Sequence, residues 1–201
     1  MKNVSRTFLA IYSIIVTLGL ILSLSAFKNL KNSFEEIDVK RLNVVDEKGN
    51  KIMVLTNKNR MPFPILNGKE YKRDINPSGL VFYNDKGNEC GGLGIVNVPE
   101  GEKIAFVLDY STVDGIAMYK TESSDGSYVD AGFSINDPNP EGQIGDAVNR
   151  IDLSNKNKTA GLILKDTNGT ERLKLFVQPD GTPKIQILDH KGIIIKELTE
   201  K

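Results

Sequence analysis

Twenty consecutive positions, Phe8 to Phe27, carry no charge, and beyond about residue 40 the pattern changes to short alternating runs in which every second residue is apolar. The first stretch predicts a helix of roughly 30 Å, enough to cross the hydrocarbon core of a bilayer once. The alternation predicts half-buried antiparallel strands. Pairs such as Leu42 and Val44, Ile52 and Val54, Leu80 and Phe82, Leu162 and Leu164, then Leu173, Leu175 and Val177, place their apolar side chains on one side of each strand.

Between the strands one turn pattern recurs. Asp46-Glu-Lys-Gly49, Asn84-Asp-Lys-Gly87, Asp166-Thr-Asn-Gly169 and Asp189-His-Lys-Gly192 all place Asp or Asn three residues before Gly, and Gln178-Pro-Asp-Gly181 is a variant. Asp or Asn at the first position bonds the backbone two residues on, and Gly supplies the positive φ that closes a bulged hairpin. Further strands are expected at 104–109, 115–119, 128–135 and 150–153. The C-terminal third then reads as a meander of near-equal hairpins. Helical patterning is scarce after residue 40, and 33–39 either extends the membrane helix or forms a short strand. Two irregular stretches, 57–77 and 136–149, interrupt the pattern. The expected fold is all-β, an antiparallel sandwich, meander or barrel-like sheet preceded by one transmembrane helix.

The division that follows is a short tail (1–7), an anchor (8–27), a polar spacer (28–33) and a single β domain (34–201), long enough to bury a core. A secretory signal peptide also begins with basic residues and an apolar run, usually of about 7–15 residues. The longer run here favours an uncleaved anchor, with cleavage near Ser25 or Ala26 as the alternative. Lys2, Arg6 and the α-amine before the run outweigh Lys28 and Lys31 after it only slightly, and with the short tail they place the N-terminus inside and the β domain outside.

Charge narrows the function. The chain has 26 basic and 26 acidic residues; removing Lys2 and Arg6 leaves 24 against 26, net −2, beyond the anchor. No clustered positive field is available to collect phosphates, so no nucleic-acid partner is expected. The lone Cys90 forms no internal disulfide, which fits a bacterial envelope domain held by its core. With the sole histidine a hundred residues away at His190, Cys90 reads as an inert thiol.

Three groups of residues are candidates for chemistry. In Tyr83-Asn84-Asp-Lys-Gly-Asn-Glu89-Cys90-Gly91-Gly92, the paired glycines permit close approach of a ligand and Tyr83, Asn84 and Glu89 offer polar contacts; the competing reading is a turn followed by a bulge. Asp137, Asn139 and Glu141 alternate as in the first half of a calcium loop, but Val148 stands where a bidentate carboxylate is required. Calcium is the one cofactor the sequence suggests, against an exposed proline-braced turn. The carboxylates Glu89, Asp109, Asp114, Asp125, Asp130 and Asp137 could serve acid and base chemistry if two of them face each other. No G-x-S-x-G, P-loop, H-E-x-x-H or paired C-x-x-C occurs.

The segments FEEIDVKRLNVVDEKG (34–49), GLVFYNDKGNECGGL (79–93), FVLDYSTVDG (106–115) and GLILKDTNGTERLKLFVQPDGTPKIQILD (161–189) resemble a family of uncharacterised bacterial proteins with an N-terminal apolar segment and a β-rich remainder. In that family the residue between Glu89 and Gly91 is not usually cysteine. The resemblance implies a shared architecture and carries no activity. Together these readings make the expected function a membrane-anchored envelope module that binds a protein or glycan. The alternatives are a carboxylate-dependent carbohydrate hydrolase and a calcium-stabilised display domain.

Overall fold

The computed structural model describes residues 2–27, 33–139 and 142–199, with side chains of the helix described for 6–23. The chain divides into two compact units between Asp38 and Val39. The first holds α1, Lys2–Phe27, whose stretch Arg6–Ser23 is long and apolar enough to cross a membrane and is unburied. Residues 33–40 are irregular, so neither the helix extension nor the short strand expected at 33–39 forms among them.

The second unit is β throughout. Its strands are β1 Arg41–Val45, β2 Lys51–Thr56, β3 Ile65–Leu66, β4 Lys69–Glu70, β5 Ser78–Tyr83, β6 Glu89–Val98, β7 Gly101–Asp109, β8 Asp114–Glu122, β9 Val129–Pro138, β10 Ala147–Lys156, β11 Thr159–Lys165, β12 Glu171–Val177, β13 Pro183–Leu188 and β14 Ile194–Thr199. Twelve of them form one antiparallel sheet in the order β1-β2-β5-β6-β7-β8-β9-β10-β11-β12-β13-β14, while β3 and β4 make a small hairpin of their own. The sheet is an open meander that does not close into a barrel. The stretch 136–149, read from sequence as irregular, contains the last residues of β9, to Pro138, and the first of β10, from Ala147.

The expected turns have the geometry their residues require. The Oδ1 of Asp46 accepts from the backbone N–H of Lys48 (2.9 Å) and Asn50 (2.8 Å). Asn84, Asp166 and Asp189 accept in the same way from the second and fourth residues after them. In the variant turn Asp180 takes this part, accepting from Thr182. Gly49 has φ +85°, and a Cβ placed there would meet nothing within 4 Å. Its requirement is therefore one of backbone conformation rather than space. Next to these turns, between Val44 and Val45, Phe82 and Tyr83, Leu164 and Lys165, and Ile187 and Leu188, the register shifts by a bulge.

Directly paired residues in a sheet share a face. Following the pairs from β1 gives Leu42, Leu55, Leu80 and Leu93, then Phe106, Met118 and Phe133, then Leu153, Leu162, Leu175, Ile185 and Leu198. This ladder crosses all twelve strands without a polar residue. A second one, toward the Asp-Gly turns, runs Val44, Met53, Phe82, Gly91, Leu108, Ile116, Ile135, Ile151, Leu164, Leu173, Ile187, Lys196, with Lys196 its sole charge.

The opposite face alternates with these ladders and differs along its length. Over β2, β5, β6 and β7 it carries Val54, Val81, Gly92 and Val107. From β9 onward the same row reads Ser134, Asp152, Ile163, Lys174, Gln186, Glu197. The segment 57–77 lies on its first part. Arg41 donates to Arg60 O (3.2 Å) and the Lys58 N–H to Ser78 Oγ (3.0 Å), and Met61, Ile75 and Pro77 line a concavity with Val81, Gly94 and Val107.

The core is correspondingly thin. Among the described residues the buried apolar side chains are Val54, Met61, Val81, Val113 and Leu188. A chain of this length was expected to enclose a substantial core, and instead one layer leaves its apolar face open. Leu55 is 50%, Leu153 53% and Met118 60% exposed on it.

Because nothing crowds Gly49, Gly49→Ala should cost about 1 kcal/mol, by forcing a Cβ into positive φ. Thermal unfolding of the variant should show Tm lower by about 2–4 °C, the scale for a domain of this size. An unchanged Tm would show that the turn can relax to another type.

Candidate functional site

The concavity under 57–77 has a volume of about 330 Å³ and gathers polar groups at its end near the turns: Arg73, Glu89, Asp109 and Asp114. Their arrival there follows from strand geometry. Tyr83 pairs with Glu89 across a bulge that leaves Cys90 unpaired, and Asp109 pairs with Asp114 across a second bulge. Arg73 reaches them from the irregular segment. Its Nη2 bonds both carboxylate oxygens of Glu89, its Nε donates to Pro62 O (3.3 Å), and both side chains of the ion pair are largely buried. Asn88 Oδ1 ties the β3–β4 hairpin to the same place by accepting from the Gly68 N–H (2.7 Å).

Asp109 is the perturbed member. Burial foremost, then the charges of Asp114 and Glu89, push its carboxyl up to about 7, with Arg73 opposing. Its Oδ1 is buried with no hydrogen-bond partner. A carboxyl raised in this way beside an arginine-held carboxylate is an arrangement that can donate a proton or bind a polar ligand. Burial, Asp109 and Glu89 likewise raise the Cys90 thiol, which keeps it protonated and unreactive.

Of the residues proposed from sequence, Glu89 and Gly92 line this site and Tyr83 stands beside Glu89. Burial and Glu89 raise the Tyr83 phenol. Asn84 is occupied as the turn's acceptor. The glycines serve the sheet. A Cβ at Gly92 would lie 2.4 Å from Leu80 O, and one at Gly91 2.5 Å from Val107 O, so both contacts are with neighbouring strands. Gly91 belongs to the apolar face.

Asp137 lies in β9 opposite Val148 and is ion-paired to Arg150. The Asn139 N–H bonds Asp146 O (3.2 Å), and Glu141 lies outside the described residues. Among the described residues no three carboxylate, histidine or cysteine groups converge to hold a metal. Asp125 is an exposed turn acceptor for Ser123 and Ser127, held at about 2 by those bonds, and His190 is exposed in its turn.

Sequence reasoning missed Arg73 and Met61. Both sit in an irregular stretch without periodicity, and the only local signal was an arginine just ahead of Pro77. No family model matches the chain, and no curated protein matches it.

The raised carboxyl has a thermodynamic consequence. The stability its protonated form contributes is complete below the unfolded value, near 3.8, and is lost as pH rises through about 7. The turn acceptors Asp46, Asp125, Asp180 and Asp189 are lowered and act below that window, where stability falls as pH falls. Between pH 5 and 8 the native protein should therefore lose a few degrees of Tm that Asp109→Asn retains. Parallel Tm curves for the two proteins would refute the assignment.

Proposed function

We propose that the chain is a single-pass envelope protein whose N-terminus lies inside and whose β domain, outside, works as a binding or structural module. The observation that carries this reading is the apolar face, which spans all twelve strands and is left uncovered by the strands' own segments. Exposed apolar area of this extent marks an interaction surface. α1 supplies the tether, and the near-neutral charge leaves the surface's recognition to packing. The resemblance to bacterial proteins of the same layout supports the bacterial envelope as its compartment.

The full chain should stay with membranes through alkaline carbonate extraction, and its intact mass should retain Met1. Protease added outside spheroplasts should digest the β domain. A domain protected until lysis, or a mass beginning after Ser25 or Ala26, would overturn the orientation or the anchor respectively.

A second reading rests on Asp109. Its carboxyl, raised to about 7 beside Glu89, suits a general acid paired with an ionised carboxylate, the requirement of a retaining or inverting glycosidase. On this reading Asp109→Asn and Glu89→Gln should each lower glycan hydrolysis by a hundredfold or more, of the order general acid–base groups contribute. Equal turnover in wild type and both variants would exclude it.

A further inference from the structure

We infer that the apolar face is closed by a second copy of this chain, the two sheets stacked face to face about a two-fold axis that lies along β8. The inference names the occupant of the surface on which the proposed binding role rests.

Area comes first. Eleven inter-strand steps of about 4.8 Å and a depth of about 15 Å for the two ladders give a face of roughly 800 Å². That exceeds the roughly 300–600 Å² of the largest apolar patch on a typical monomer. Two copies would bury about 1,600 Å², the standard size of a stable interface. Stacked sheets pack about 10 Å apart with interdigitated side chains and strand directions within about 30° of each other, which a two-fold axis along β8 satisfies.

Composition comes second. Interfaces with separate partners are about as polar as ordinary surface, whereas homodimer interfaces are distinctly more apolar. Two ladders with a single lysine, at the sheet's last strand, have the second character. A lipid surface would call for basic residues along the rim. One flanking row instead runs Ile95, Ile104, Lys120, Ala131, Asn155, with one cation. On the rim of turns Lys48, Lys86 and Lys191 each stand beside the acids of their own turns, Asp46 and Glu47, Asp85, and Asp189, so that rim carries no net positive charge.

Pattern comes third. The bulky members of the first ladder are Phe106 and Phe133, one strand to either side of Met118, and beyond them stand Leu93 and Leu153. A two-fold axis along β8 sets Met118 against the partner's Met118 and Phe106 against the partner's Phe133. Large residues then meet at the centre and leucines outside it. Edge-to-edge growth is disfavoured by the charges of Arg41 on β1 and of Lys196 and Glu197 on β14.

The test uses the full chain in its membrane with Cys90→Ser. A short bismaleimide should link Met118→Cys into a dimer and should leave Lys156→Cys, on the opposite face, unlinked. Adding Leu153→Glu should cut the Met118→Cys dimer about a hundredfold, the effect of stranding a charge in a closed interface. Leu153 is half exposed in the single chain, so circular dichroism of that variant should stay native. If Met118→Cys gives no dimer and reacts freely with a water-soluble maleimide, the face is open and the inference fails. If the cysteine is shielded yet still unlinked, lipid or another protein covers it, and the inference fails equally. A missing anchor would show instead as soluble protein on fractionation, while the cross-link reads in either compartment.

Discussion

The register of this sheet depends on a small repeated interaction: one side-chain oxygen at the start of a turn, accepting two backbone N–H groups. In Asp46, Asn84, Asp166 and Asp189 that oxygen fixes a turn that ends at a glycine, and a bulge in the adjoining strands absorbs the odd residue. Side chains alternate along a strand with period two, so a slip of one residue would turn that strand's apolar set to the other side. Held in register, the strands deliver most of their leucines and isoleucines to one face, with Ile163 of β11 an exception on the other. The apolar ladders are thus a product of turn chemistry as much as of strand composition.

A sheet so ordered has one apolar face and one mixed face, and the chain covers only part of the mixed one. The 57–77 segment closes over Val54 and Val81, where small residues such as Gly92 and Gly94 leave room for it. Pro77 lies 3.2 Å from the place a Cβ on Gly94 would occupy. From β9 onward the row turns polar, with Lys184 and Glu197 3.7 Å apart, and no cover is needed. Sealing the segment down also buries Asp109 beside Glu89 and Asp114, and this burial is the main cause of its retained proton. The candidate site arises where this segment closes over the sheet.

Much of the fold was legible in the residues. Alternation such as Leu173, Leu175, Val177 and the Asp-x-x-Gly spacing predicted strands and turns that form where expected, because both signals are local. Ser123-Ser-Asp-Gly126 went unread since serine stands in for aspartate, with Ser123 Oγ accepting from the Tyr128 N–H (2.9 Å). Alternation reports that one side of a strand is apolar, but is silent on what covers that side, so a sandwich and a single layer read alike. The site was half legible. Glu89 and Asp109 stood out as carboxylates near glycines, whereas Arg73 is brought to Glu89 across 16 residues by a segment with no periodicity.

Anchor and face become one device if both proposals hold. Two free domains must pay for lost translational and rotational freedom when they associate, a cost estimated at about 4–15 kcal/mol. Copies held to one membrane have already surrendered part of that freedom, and tethering raises their effective concentration for each other. An interface built from leucines and phenylalanines, without charges to steer encounter, gains most from such confinement because its association is otherwise slow and unguided. The same confinement limits the hazard of an exposed apolar sheet, since a face that meets its own copy soon after export is withdrawn from indiscriminate contact. The thin core then finds its natural explanation: the second layer that a single chain lacks is supplied by its neighbour.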